Sequence, residues 1–236
     1  MKLELVNGQL TPEQMREMQK FNDVEGAVVQ AWKDGQSAKW AARNPVSVAD
    51  TDDSFRRRYG LSKTWAVRDA VRSVPREGRW LEVGCSAGAH MALMQSLGFR
   101  DIMGVDIGLE PLANGPYRGR CAQADARYLP FADLTFEGVT TAGSFMHLGP
   151  PDNMRECARG LTRLARRWWL LIELWSAEPH LVSFGDLLPP VWLYPWETVL
   201  PGVLGPEWSV VSQQTYELNQ PGRRAPLMFL LLKRVG

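Results

Sequence analysis

The segment Leu81-Glu82-Val83-Gly84-Cys85-Ser86-Ala87-Gly88 constrains this chain more than any other. A short apolar run, Arg79 to Val83, leads into it, and an apolar stretch at helical spacing, Ala89 to Leu97, follows. That order reads as strand, glycine turn, helix, with Gly98 at the position that ends the helix. A glycine turn lets a ligand approach the backbone closely, because no Cβ stands in the way. The helix behind it offers free N–H groups. Glu82, just before the first glycine, would repel a pyrophosphate and attract a ligand carrying ammonium and sulfonium charges.

The alternation continues downstream. Ile102 to Asp106, Cys121 to Ala124 and Gly138 to Thr141 read as strands, and Asn153 to Arg167 as an amphipathic helix. Trp168 to Leu174 is a continuous apolar run, as expected for a strand buried on both faces. Trp208 to Tyr216 and Leu227 to Lys233 close the chain as strands, and the short link at Asn219-Gln220-Pro221-Gly222 suits a hairpin. The pattern predicts an open, mostly parallel, doubly wound sheet with an antiparallel last strand. Such sheets bind ligands at the carboxyl ends of their strands.

Ahead of Arg79 the chain reads as helical. Thr11-Pro12-Glu13-Gln14 caps a helix to about Phe21, and a second covers Val24 to Trp32 and stops before Asp34-Gly35. The acid-rich stretch Pro45 to Phe55 reads as loop, and Leu61 to Ser73 as a helix ending at Pro75. Residues 1–75 are therefore expected to form an N-terminal helical segment or lid, and residues 76–236 the ligand-binding core.

With 22% charged residues and a net charge of +1, the chain carries no field that would argue for nucleic acid or an anionic membrane as partner. Arg56-Arg57-Arg58 and Arg163 to Arg167 read as solvated helix faces. The N-terminus shows no secretory apolar region, and no stretch is long enough to span a bilayer. Cys85, Cys121 and Cys157 form no C-x-x-C pair, and His90, His147 and His180 lack metal-ligand spacing. No disulfide framework and no metal are expected, and a reducing cytoplasm fits.

Two more acids sit at strand ends. Asp106 ends the second strand, in Gly104-Val105-Asp106-Ile107, where a carboxylate accepts from two ribose hydroxyls. Asp125-Ala126 follows the third, where an acid accepts from an adenine amino group. Ribose binding alone would suit a dinucleotide as well. The phosphate loop G-x-G-x-x-G does not, because its later glycine positions hold Ser86 and Ala89.

Glu82-Val83-Gly84-Cys85-Ser86-Ala87-Gly88 resembles the first motif of the class I S-adenosylmethionine-dependent methyltransferases, E/D-x-G-x-G-x-G, with Ser86 in place of the middle glycine. Gly104-Val105-Asp106-Ile107 resembles their ribose-binding motif, and Asp125 to Phe136 their adenine-side segment. The resemblance covers Arg79 to Leu174 and extends through the closing strand pair. It implies a Rossmann-like, doubly wound, mostly parallel seven-stranded sheet with an antiparallel last strand, here with an N-terminal helical extension. The implied cofactor is S-adenosylmethionine, leaving as S-adenosylhomocysteine, with no metal. Its site would comprise Glu82, Gly84, Cys85, Ser86, Gly88, Asp106, Ile107, Asp125, Ala126 and Ser144, Cys85 being a small filler. A narrower resemblance, to methylases found alongside nonulosonic (pseudaminic) acid biosynthesis, rests on Trp32 to Asn44, ending Trp40-Ala41-Ala42-Arg43-Asn44, and on His147-Leu148-Gly149-Pro150-Pro151-Asp152-Asn153. Trp40 stands there for a tyrosine, and one residue is inserted after His147.

The implied activity is methyl transfer to an oxygen or nitrogen of a small molecule, sugar-derived or natural-product-like; the alternative is a cofactor-binding protein without turnover. Gly143-Ser144-Phe145-Met146-His147 follows the fourth strand. His147 would take the acceptor's proton or orient the acceptor, or else cap the next helix. Arg43 would pair with the methionyl carboxylate or lie at the surface. Glu173, ending the fifth strand, would meet substrate, orient Arg43 or form a structural ion pair. Trp40, Asn44, Trp192 and Tyr194 are further substrate candidates. Trp175, Phe184, Trp192, Tyr194 and Trp196 lie in a segment that Pro189-Pro190, Pro195 and Pro201 would keep irregular, as a hydrophobic cover or as a lid. The partner is a small-molecule acceptor, with neither nucleic acid nor membrane, and a homodimer is compatible with the sequence.

Overall fold

Seven strands form one sheet in the order β3-β2-β1-β4-β5-β9-β8, so the strand order reverses between β1 and β4. The strands are β1 (Arg79–Val83), β2 (Asp101–Asp106), β3 (Cys121–Gln123), β4 (Phe136–Ala142), β5 (Ala165–Leu174), β8 (Trp208–Tyr216) and β9 (Leu227–Arg234). This is a computed structural model, and it describes residues 30, 32–43, 46–148, 151–182, 191–217 and 225–235. β1 to β5 pair in parallel, while β9 runs antiparallel to both β5 and β8. The doubly wound sheet with an antiparallel last strand is as the sequence predicts, and β9 is inserted between β5 and β8.

Period-two alternation divides the sheet's side chains between two cores. Leu81, Val83, Trp169, Leu171, Met228 and Leu230 face one side with α6 (Pro151–Leu164) and α7 (Trp196–Leu204). Trp80, Leu170, Ile172, Phe229 and Leu231 face the other with α2 (Val48–Tyr59), α3 (Lys63–Ala70) and α4 (Ala89–Ser96). Each large apolar side chain removed from water contributes about 1.5–3 kcal/mol. α6 ends at Leu164, and Ala165 to Arg167, expected as its last turn, already belong to β5.

The N-terminal region departs from expectation in two places. The acid-rich stretch expected as loop is mostly helix, because its charges sit where a helix dipole favours them. Ser47 caps α2 by accepting from the Asp50 amide at 3.3 Å, Asp50 lies in the first turn, and Arg56, Arg57 and Arg58 occupy the last. Asp52 then caps the following helix from outside, accepting from Ser62 Oγ and the Thr64 amide, both at 2.7 Å. Further upstream, Asp34-Gly35 does not stop the helix: a π-helical turn, Trp32–Gln36, leads directly into α1 (Ser37–Arg43). The helices expected from Thr11 to Phe21 and from Val24 onward lie outside the described residues, apart from Gln30 and Trp32.

Four elements add to the expected set. α5 (Leu109–Asn114) connects β2 to β3. The proline-rich stretch after β5 forms a small antiparallel pair, β6 (His180–Val182) with β7 (Val191–Leu193), and then α7, which carries Pro201 inside it. Trp196 Nε1 donates to the Leu174 carbonyl at 2.7 Å and Trp175 Nε1 to Glu197 Oε2 at 2.8 Å, fastening this segment to the end of β5. Phe184 and Pro189-Pro190 lie outside the described residues. Among the described residues no helix is long and apolar enough to cross a membrane.

Burial pushes the Asp52 carboxyl up, but the hydrogen bonds from Thr64 and Ser62 outweigh it, and the group ends below its ordinary range. A lowered carboxyl stabilises the fold above its unfolded pKa and loses that contribution as pH falls. Asp52→Asn is therefore expected to lower unfolding free energy by about 1 kcal/mol at neutral pH. Denaturant titrations from pH 7 to pH 3 should show that gap closing.

Candidate functional site

The carboxyl ends of β1, β2 and β4 meet at the glycine turn. Gly84 has φ 79°, and a Cβ there would stand 2.3 Å from Ser144 Cβ, so the turn reaches its neighbour only as glycine. The Gly84 and Cys85 amides both donate to the Val105 carbonyl, at 2.8 and 3.0 Å. Ser86 takes φ 48°, in the left-handed region that non-glycine residues seldom occupy. Its amide donates to Asp106 Oδ2 at 2.8 Å, while the Gly108 amide donates to Oδ1 at 2.8 Å. One carboxylate thus holds the turn in a shape that costs about 1–2 kcal/mol at a residue with a side chain. Burial raises the Asp106 carboxyl above its usual range, against the opposing pull of the Gly108, Ser86 and Ile107 amides.

A second carboxylate organises the opposite wall. Glu173, fully buried at the end of β5, accepts from the Ser144 and Phe145 amides through Oε1, at 3.0 and 2.9 Å, and from the Met146 amide through Oε2 at 3.4 Å. These amides open the 3₁₀ turn Phe145–His147 that follows β4. Ser144 Oγ also donates to the Val83 carbonyl at 2.8 Å, tying that turn to β1. Burial lifts the Glu173 carboxyl to about 7 even though the amides favour its charge. Glu173 binds backbone here.

Between the two walls lies a cleft of about 970 Å³, counting the solvent at its mouth. Gly84, Ser86, Asp106, Ile107, Asp125, Ala126 and Ser144 line it, as do Trp40 and His147. Cys85 is buried behind the turn, Gly88 packs against Tyr117, and Glu82 is buried beneath. Trp192 and Tyr194, their rings stacked at 5.9 Å, sit in the core under α7 and do not reach the cleft. Asn44 and the side chain of Arg43 lie outside the described residues.

Sequence reasoning did not single out Trp32, Ser37, Arg127 or Leu148, which also line the cleft. Trp32 and Ser37 lie inside the segment Trp32 to Asn44, Arg127 inside Asp125 to Phe136 and Leu148 inside His147 to Asn153, though none is picked out there as a site residue. The Arg127 guanidinium grips Asp125, with Nε 3.0 Å from Oδ1 and Nη2 2.6 Å from Oδ2. Burial raises Asp125, but the Arg127 contacts prevail and hold it below the ordinary range. Lys63 was also missed: it starts α3 and is the cation acting most strongly on Glu82. Burial drives the Glu82 carboxyl well up, with Lys63 opposing, and it draws the Lys63 ammonium down.

Three buried polar atoms at the cleft have no hydrogen-bond partner among the described residues: Ser86 Oγ, Trp32 Nε1 and His147 Nδ1. The His147 ring meets Trp32 edge-on at 4.9 Å, and burial lowers its pKa to about 4, so it is neutral at physiological pH. A buried polar atom left unpaired costs about 1–3 kcal/mol, which a ligand offering hydroxyls, amines or a carboxylate would recover. Among the described residues no cluster of metal-binding side chains occurs.

Residues 81–166 match the Methyltransf_11 methyltransferase domain family. The chain is 28% identical over 168 residues to a demethylmenaquinone methyltransferase of Desulfitobacterium hafniense (strain Y51). That alignment spans 62% of this chain and 64% of the relative, just under two thirds of its length. Among solved structures, the Burkholderia thailandensis 1,6-didemethyltoxoflavin-N1-methyltransferase, with 1,6-didemethyltoxoflavin and S-adenosylhomocysteine bound, superposes with a TM-score of 0.60 at 14% identity, covering 100% of this chain and 94% of that one. The [4+2]-cyclase SpnF superposes with a TM-score of 0.62 at 12% identity, covering 89% and 97%. At these identities the structures share a fold, and the cyclase shows that the fold carries more than one activity.

A carboxyl raised by burial favours folding most below its unfolded pKa and loses that contribution as pH rises to the folded value. For Glu173 the window runs from about 4.5 to about 7. Glu173→Gln keeps the acceptor that the Ser144 and Phe145 amides use. Across that window, wild-type stability is expected to fall relative to this variant by about 3 kcal/mol, measured by urea unfolding at fixed pH steps.

Proposed function

We propose that this chain, whose residues 81–166 match a methyltransferase domain family, is a class I S-adenosylmethionine-dependent methyltransferase that holds S-adenosylmethionine in the cleft between the glycine turn and the β4 turn. It transfers the methyl group to an oxygen or nitrogen of a small-molecule acceptor, sugar-derived or natural-product-like. The observation that carries this reading is the Asp106 carboxylate. It anchors two loop amides, faces the cleft and keeps lone pairs for a ribose diol. Ser86 Oγ and the turn would meet the methionyl end, and Asp125, Ala126 and Arg127 the adenine. A cation bound over the turn would oppose the burial that raises the Glu82 carboxyl and favour its ionised form, in keeping with a cationic nucleoside over a pyrophosphate.

Bound S-adenosylmethionine supplies a methyl group already activated on a sulfonium, open to in-line displacement. What remains for the chain is alignment and the exclusion of water. Glu173 contributes by fixing Ser144 to Met146, which places His147 on the wall. A histidine with a pKa of about 4 is a weak base, so His147 orients the acceptor by a hydrogen bond and does not hold its proton at neutral pH. Trp32, Ser37 and Trp40 bring the N-terminal segment over the cleft, in keeping with the lid proposed for residues 1–75. The likeness to a cyclase favours one second reading, cofactor binding without methyl transfer.

Calorimetry is expected to show S-adenosylhomocysteine binding to the wild type and at least about tenfold weaker binding to Asp106→Ala. Wild-type binding of a nicotinamide dinucleotide with no response to S-adenosylhomocysteine would reject the proposal. A methyl-release screen over a metabolite panel separates the two readings. For any acceptor it finds, turnover from pH 5.5 to 8 should show no step that His147→Gln abolishes.

A further inference from the structure

Cys85 and Cys121 are 36 residues apart in sequence, yet their sulfurs touch. Cys85 Sγ donates to Cys121 Sγ at 3.8 Å, and Cys121 Sγ to Met91 Sδ at 3.7 Å. Gly104 makes the meeting place. It pairs with Cys121 in the β2–β3 register, and a Cβ on it would stand 2.5 Å from Cys85 Sγ and 2.8 Å from Met91 Sδ. The backbones on both sides are already fixed. The Cys85 amide is bonded to Val105, and β3 is paired with β2. The sulfurs would close from 3.8 Å to a bond of about 2 Å.

We propose that Cys85 and Cys121 form a reversible disulfide when the protein meets a peroxide, and that this bond regulates the cleft; the second half rests on the cofactor reading above. The two thiols differ in a way that gives the chemistry an order. Cys121 is half-buried, and the hydrogen bond from Cys85 lowers its pKa. Cys85 is buried, and the same bond, with burial, raises its own. The Cys121 thiolate attacks one peroxide oxygen, breaking the O–O bond and leaving a sulfenic acid and hydroxide, which takes up a proton as water. Cys85 sulfur then attacks the sulfenic sulfur and displaces the hydroxyl, which leaves as a second water carrying the Cys85 proton. Two thiols lose two electrons, and one hydrogen peroxide becomes two waters. The bond would pull the glycine turn toward β3. Ser86, next in the chain, already sits at φ 48° with its amide on Asp106 and its side chain at the cleft.

The test uses the reduced full-length chain, treated with hydrogen peroxide, then alkylated under denaturing conditions and mapped by peptide mass. The expected product is a peptide pair joined through Cys85 and Cys121, with Cys157 still alkylated, and dithiothreitol restores alkylation at both joined positions. Cys85→Ser should instead accumulate sulfinic or sulfonic acid at Cys121, while Cys157→Ser should cross-link as the wild type does. S-adenosylhomocysteine should bind the oxidised chain about tenfold more weakly, with recovery on reduction. Both thiols alkylated after peroxide has oxidised the methionines would overturn the proposal, as would a bond to Cys157. Equal affinity in the two forms would overturn its regulatory half. Cross-linking with no S-adenosylhomocysteine bound by either form would sink the cofactor reading and leave the redox site standing.

Discussion

A single carboxylate at the end of β2 carries the site. Asp106 takes one amide from the glycine turn and one from the residue that leads into α5. Hydrogen bonds to an ionised acceptor contribute about 1.5–3 kcal/mol each. That is enough to hold Ser86 in a left-handed conformation that its side chain disfavours. The same oxygens face the cleft, so the group that shapes the turn also presents it to a ligand. The arrangement depends on the strand reversal between β1 and β4, which leaves a gap at the carboxyl edge for these residues to line.

Glu173 plays the corresponding part on the other wall. Its three amide partners precede and open a 3₁₀ turn whose last residue is His147. The two walls meet where Ser144 Oγ binds the Val83 carbonyl and where Gly84 leaves room for the Ser144 side chain. Four ionisable groups, Glu82, Lys63, Asp106 and Glu173, are thus held close behind or beside the cleft. Burial shifts each toward its neutral form. Clusters of this kind are costly to maintain and concentrate at functional sites. A cationic ligand above the turn would in turn favour the ionised form of Glu82 beneath it.

The sheet was largely legible because its signals are local. Apolar runs along β1, β5 and β9 send successive side chains into one core and then the other, and the bounds of β1 and β8 coincide with the expected runs. The errors arose where residue type misled. Aspartates at Asp50, Asp52 and Asp53 suggest loop, yet two of them serve helix ends, Asp50 at the start of α2 and Asp52 at the start of α3. Prolines after β5 suggest irregular chain, yet Pro195 stands at the N-cap of α7, where a missing N–H costs nothing.

The sequence alone determined the strand–turn–helix unit and the acids at successive strand ends, because spacing within a few residues decides both. It determined the division of the sheet into two apolar faces for the same reason. Only the tertiary structure decided that Glu173 binds backbone, that Trp192 and Tyr194 are core, that Trp32 meets His147 and that Cys85 meets Cys121. Each of those outcomes joins segments distant in the chain. No local periodicity encodes such a contact; it follows from how strands and helices pack once the sheet has formed.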